Sequence, residues 1–251
     1  MLKYVKIYLL PLMVVAGIIG VLFLAIQPDI VINEYKADIV IDDQGDMHVT
    51  ETWDMTYGGD YNVRFRDIGF GKYPDNYPFT IDSSNYAEFI PESASVRTFK
   101  DRMEVTSTVR EGYSFNGDYD ELFQRIKCEP VSSECESIFT DFTATGGLNG
   151  VIRFVYTYEI AGAVTEHSDI SELNWTLFEY AEGKVEKGSI HITLPVNTND
   201  ENDYSLFSHQ IKNTSTEIVS NNEFEINFTN MKSRDALAFR LLIPRNVFPN
   251  I

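Results

Sequence analysis

The sequence predicts a mainly β protein: an antiparallel β-sandwich, immunoglobulin-like or elaborated, set behind one N-terminal transmembrane helix. Three observations lead there. An uncharged apolar run fills residues 7–26. Beyond it, apolar and polar residues alternate with period two in segment after segment. The chain is also rich in aromatics, with 17 Phe, 14 Tyr and two Trp, residue types that suit half-buried pleated surfaces.

The apolar run comes first in the chain. From Ile7 to Ile26 it carries no charge, and Gln27-Pro28-Asp29 ends it. At 1.5 Å rise per residue it reaches about 30 Å, the thickness of a hydrocarbon core. Lys3 and Lys6 precede it, while the first acids, Asp29 and Glu34, follow it. The positive-inside rule therefore puts the N-terminus in the cytoplasm and residues 28–251 outside. A cleaved signal peptide is the competing reading, but its apolar region is about 7–15 residues long and ends in small residues. Leu24-Ala25-Ile26-Gln27-Pro28 is a poor cleavage site. The expected organisation is a stub and uncleaved anchor over 1–27, then an extracellular domain over 28–251 with a polar insert near 111–149.

Strands follow in order. Tyr35, Ala37, Ile39 and Ile41 share one parity, Asp42 to Asp46 forms a Gly-containing turn, and Met47, Val49, Glu51, Trp53, Met55 and Tyr57 share the next parity. This is a hairpin. Residues 62–68 read as a third strand, 70–94 as a long connection, and 94–99 with 103–109 as a hairpin turned at Lys100-Asp-Arg102. Residues 119–126 suit two helical turns. The clearest strand is 151–160, with Ile152, Phe154, Tyr156, Tyr158 and Ile160 on one face. The stretch from His167 to Trp175 reads as a capped turn or short helix. Three more alternating segments centre on Ile192, Ile226 and Phe239. The expected core is Ile39, Ile41, Val49, Trp53, Phe154, Tyr156, Tyr158, Ile190, Ile192, Phe239 and Leu241.

Charge narrows the function. All 38 Asp and Glu lie beyond the apolar run, against all but two of the 20 Lys and Arg. So acidic an exported part argues against nucleic acid and against an anionic membrane surface, since both need a basic face. The two cysteines, Cys128 and Cys135, have six residues between them on an exported segment and most simply form a disulfide.

Several segments, taken in order, resemble one bacterial family. They are Tyr35 to Trp53, Arg64-Phe-Arg-Asp-Ile68, Phe154 to Val164, Glu172-Leu-Asn-Trp175, Ile190-His-Ile-Thr-Leu-Pro195 and Phe239-Arg-Leu-Leu-Ile-Pro244. Their order resembles the extracellular region of predicted membrane proteins of the YciQ-like type, domain of unknown function 2207, over roughly residues 30–245. The resemblance implies an N-terminal anchor, a β-rich outer domain and, in a longer parent chain, further membrane helices. It brings no established chemistry.

Candidate chemistry is sparse. Asp42, Asp43 and Asp46 resemble the start of a calcium loop, but Gly45 suits a hairpin turn and the distal ligands are missing. The acidic clusters at 116–121 and 199–203 read as solvated loops. His48, His167, His191 and His209 are scattered, and His167 sits between Glu166 and Asp169. The chain has no G-x-S-x-G and no H-E-x-x-H, so no catalytic, cofactor or metal residue is assigned. Arg64 and Arg66 share a strand parity and are the candidate ligand contacts, for a carboxylate; an internal salt bridge is the alternative. The expected function is a membrane-anchored binding module of the bacterial envelope, whose partner is an envelope protein or further membrane segments of its own parent chain. The alternative is an envelope hydrolase acting on glycan or peptide through acidic residues.

Overall fold

A computed structural model describes residues 30–70, 87–100, 102–105, 108–110, 134–142, 147–178, 181–209, 213–233, 235–249 and 251. The anchor segment 7–26, the helical turns at 119–126, the acidic cluster at 116–121 and Cys128 lie outside the described residues.

Fifteen strands run through the described residues: β1 (Ile30–Ile41), β2 (Met47–Tyr61), β3 (Val63–Phe70), β4 (Glu88–Lys100), β5 (Met103–Val105), β6 (Thr108–Arg110), β7 (Glu134–Asp141), β8 (Leu148–Ala161), β9 (Val164–Glu166), β10 (Ile170–Phe178), β11 (Lys184–Thr193), β12 (Ser205–His209), β13 (Thr214–Ile218), β14 (Glu223–Met231) and β15 (Leu237–Pro244). Eight form one sheet in the order β13-β14-β11-β1-β2-β8-β4-β5. Two smaller sheets have the orders β12-β15-β10-β9 and β3-β7-β6. The protein is mainly β, as the alternation predicts. The large sheet is mixed rather than antiparallel, because β1 pairs with β11 in parallel, Val31 opposite Lys184 and Ile39 opposite Ile192.

The first hairpin forms as its sequence demands. Ile39 faces Val49 and Ile41 faces Met47. Asp42 Oδ1 accepts from the backbone N–H of Gln44 (2.9 Å) and Asp46 (3.0 Å), which closes the turn. Gly45 has φ +77° there, a conformation that disfavours any side chain. The Asp42 carboxylate is thus part of the turn.

Two expectations are corrected by packing. The His167–Trp175 stretch is the end of a tight turn followed by strand β10, not a short helix. From Ser171 to Phe178 every residue of β10 is buried, so both faces are covered although Leu173, Trp175 and Leu177 alternate with Glu172, Asn174 and Thr176. The segment at 62–68 is indeed a strand, extended to Phe70, but it belongs to a separate sheet with β7. The connection read over 70–94 also contains the first half of β4.

The two smaller sheets lie against one face of the large one. Phe178 of β10 meets Tyr35 of β1 and Trp53 of β2, each at 5.3 Å between ring centroids. Arg64 and Arg66 of β3 reach β8 and β2. One continuous cluster of buried side chains draws on all three sheets, and every residue of the expected core belongs to it. The opposite face of the large sheet is polar, carrying Thr52, Asp54, Arg153 and Thr157.

Candidate functional site: a buried arginine–carboxylate centre and an outer groove

Strand β3 presents Arg64 and Arg66 on one face, two residues apart, and that face looks into the interior. Each is only 3% exposed. A guanidinium cannot be deprotonated to escape the cost of burial, so it needs charge and acceptors around it. Arg66 finds Glu51, which is fully buried. Arg66 Nε donates to Glu51 Oε2 (2.6 Å) and Nη2 to Oε1 (2.5 Å), a two-pronged pair. Arg66 Nη2 also donates to the Leu177 carbonyl of β10 (2.6 Å), and Nη1 to the Asp67 carbonyl. Glu51 accepts twice more, from Trp53 Nε1 (2.9 Å) and Tyr158 OH (2.8 Å).

Arg64 sits in an aromatic box. Its guanidinium carbon lies 4.8 Å from the Phe154 ring centroid, 5.1 Å from Trp53 and 5.8 Å from Tyr156. Nε donates to Tyr156 OH (2.9 Å), and Nη1 to Tyr57 OH (3.3 Å) and to Glu182. Glu182 is the one partly exposed member, at the edge of the centre. Burial pushes the Glu51 carboxyl up, but the Arg66 charge and the donors from Arg66, Trp53 and Tyr158 outweigh it and hold it below the usual carboxylate value. Burial raises Tyr156 and Tyr158, which stay protonated; Tyr158 donates to Glu51 and Tyr156 accepts from Arg64. The carboxylates these arginines touch therefore belong to this chain. The centre ties β2, β3, β8 and β10 together by charge.

The outer face of the large sheet holds a groove of about 910 Å³. Among the described residues it is lined by Asn33, Asp54, Phe99, Arg102, Val151, Arg153 and Val155. They alternate with core residues on β1, β2, β4 and β8. Arg153 grips Asp54 with two bonds, Nε to Oδ1 at 2.6 Å and Nη2 to Oδ2 at 2.7 Å. Asn33 Nδ2 donates to Thr56 Oγ1 (2.8 Å). Val151 is 58% exposed, and Arg102 stands exposed in the β4–β5 turn with φ +67°. An aromatic ring, two valines and convergent polar groups make a surface suited to binding.

The histidines stay apart. His48 lies between Asp42 and Glu159, 3.4 Å from each. His167 Nε2 contacts Glu172 (2.9 Å), which also contacts Arg240 Nε (2.7 Å). Trp53 and Trp175 are core residues, each 2% exposed. Cys135 stands in β7 opposite Gly69. The 199–203 segment is a capped 3-10 turn in which Asp200 accepts from the Asn202 N–H. Sequence reading overlooked Glu51 and Glu182. Glu51 was visible as the one charge among apolar neighbours of its parity; Glu182 left no signal.

No curated protein matches the chain. Among solved structures it is similar to a putative protease from Parabacteroides distasonis, at 10% identity and a TM-score of 0.43, covering 86% of this chain and 41% of that one. It is also similar to an M1 zinc metallopeptidase from Deinococcus radiodurans solved with a Tyr-Ser-Ala substrate, at 8% identity and a TM-score of 0.41, covering 85% and 43%. The chain thus spans less than half the length of either. The model of the N-terminal domain of the DUF2207 predicted membrane proteins matches residues 31–243, and the chain belongs to that family.

Proposed function

We propose that this protein is an anchored extracellular binding module, its three sheets an elaborated sandwich and its ligand face the outer groove of the large sheet. Residues 7–26 would hold it in the membrane with the N-terminus inside, and the partner would be an envelope protein or further membrane segments of a longer parent chain. The observation that carries the reading is the groove itself: Phe99, Val151 and Val155 offer apolar contact beside Arg102 and the Asp54–Arg153 pair. In binding sites, apolar area supplies affinity and a few placed polar groups supply orientation. The interior arginines support the same reading from the other side. Their charges are consumed in holding the sheets together, which stiffens the platform under the groove.

The test is site-specific photo-crosslinking of the full chain in its own envelope. A photoreactive residue at Val151 should give one discrete protein adduct, and Phe99→Ala should diminish it. The same residue at Val219, exposed on the far end of the sheet, should give none. Adducts of equal yield from both positions, or none from Val151, would defeat the proposal.

A further inference from the structure

The strands of the large sheet have a direction relative to the chain entry, and charge is distributed unevenly along it. β1 begins at Ile30. By register, the same end of the sheet holds Lys184 opposite Val31, Val151 opposite Thr56, and Met103 opposite Lys100. The other end holds the Asp42–Asp46 turn, Glu88 opposite Ala161, and Glu223 opposite Thr193. From the level of Asp38 to that far end, the described residues of this sheet and its turns include no Lys or Arg, while Asp38, Asp42, Asp43, Glu159 and Glu223 all lie there.

At the entry end the balance is different. Lys184, Lys187, Lys100, Arg102, Arg153 and Lys232 cluster within the first few residue levels. Several of the acids there are engaged. Glu34 pairs with Lys187 (3.0 Å) and Lys36 (3.3 Å), Asp54 with Arg153, Glu104 with Arg97 (3.0 Å), and Glu182 with Arg64. Lys184 lies 4.0 Å from the exposed Glu186, and Arg102 and Lys232 are exposed cations. Met103 is 71% exposed and Val151 58% exposed on the same rim. Among the described residues of this sheet and its turns, the end that holds acids without any Lys or Arg is therefore the far one.

We infer that this rim rests on the anionic headgroups of the membrane that anchors the chain. The inference rests on the anchor reading above. Only Gln27, Pro28 and Asp29 separate the apolar run from Ile30. Fully extended, so short a tether reaches about 10–14 Å, so the entry end of β1 cannot stand far from the headgroups. Cations attract an anionic surface within a Debye length, about 8 Å at physiological salt. Met103 and Val151 supply apolar contact at the boundary, and the acidic end points away, where repulsion from the surface is screened. The outer groove, which includes Arg102, Val151 and Arg153, then opens beside the membrane, within reach of a partner embedded in it.

The experiment uses the full chain in nanodiscs, made either of phosphatidylcholine alone or of phosphatidylcholine with phosphatidylglycerol. A photoreactive residue replaces Met103 on the rim or Val219 on the far end. Lipid adducts should form at 103 and not at 219, and should be more abundant with phosphatidylglycerol. Each cation removed from an anionic surface lowers the docked-to-undocked ratio about fivefold. The triple variant Lys100→Gln/Arg102→Gln/Lys184→Gln should therefore reduce it roughly a hundredfold. Equal adducts at 103 and 219 overturn the inference while leaving the anchor intact. So do adducts at 103 that ignore both lipid charge and the triple variant. A chain that does not enter nanodiscs overturns the anchor, and the inference with it.

Discussion

Glu51→Gln is the perturbation that interrogates the interior centre most directly. The side chain keeps its size, so cavity effects are small. What changes is charge and acceptor count. Glu51 accepts four bonds, two from Arg66, one from Trp53 and one from Tyr158, at 2.5–2.9 Å. A glutamine has one oxygen to offer and turns an NH₂ group toward donors. The Arg66 guanidinium, 3% exposed, is left without its counter-charge. Removing one partner of a buried pair costs about 3–5 kcal/mol, and each orphaned buried donor costs about 1–3 kcal/mol before relaxation. Relaxation prevents simple addition, so the expected loss is about 4–6 kcal/mol. That is a large share of the roughly 5–15 kcal/mol that folded domains possess.

The assay is chemical denaturation of the full chain in detergent at neutral pH, followed by tryptophan fluorescence. Trp53 donates to Glu51 and so reports the centre itself. The companion variant Glu51→Leu/Arg66→Met removes both charges together. Apolar replacement of a whole buried pair is often near neutral, so the double variant should be at least as stable as the single one, its residual loss reflecting the stranded Trp53 and Tyr158 donors. A single variant within about 1 kcal/mol of the parent, or a double variant worse than the sum of Glu51→Leu and Arg66→Met, would refute the view that this pair is coupled and dry.

Further outcomes follow from the same contacts. Phe154→Ala, at a fully buried ring that also faces Arg64, should cost about 3–5 kcal/mol by denaturant midpoint; an unchanged midpoint would place the ring at the surface. Gly188→Ala should cost about 1–3 kcal/mol, because its Cβ would meet Phe228 Cζ at 2.3 Å, and Phe228→Leu should recover part of that loss. Stability should fall on acidification in two stages. The folded chain holds His209 below its ordinary 6.5, through burial and then the Arg240 charge, and Glu51 below its ordinary 4.5. The unfolded chain therefore takes up protons that the folded one refuses, first below about pH 6.5 and then below about pH 4.5. Thermal melts across that range should show both losses, and His209→Gln should abolish the first. Cys128 and Cys135 are expected to be bonded to each other, adding roughly 2–3 kcal/mol; intact-mass analysis of unreduced, alkylated protein should find no free thiol.

Which residues face the core is legible in the amino-acid order alone. Alternation is a local property, since successive side chains on a strand point to opposite faces. The hairpin of β1 and β2, the strand β8 and every expected core position were readable for that reason. Even the anomaly of Glu51 could be seen, a carboxylate in step with Val49 and Trp53. Pairing was a different matter, because period two names a face and not a neighbour. That β1 lies parallel to β11 depends on a crossover that brings Ile39 beside Ile192. That Arg66 meets Glu51, 15 residues away, and Arg64 meets Glu182, 118 residues away, depends on which sheet β3 joins. β10 was misread although Leu173, Trp175 and Leu177 alternate with Glu172, Asn174 and Thr176, because the turn residues His167-Ser-Asp lead straight into it. The charge gradient along the large sheet is likewise invisible in a net charge of −18. It exists only once register sets Lys184 level with Val31 and Glu223 level with Thr193, because side chains distant in sequence share a level only through the hydrogen-bonded pairing of their strands.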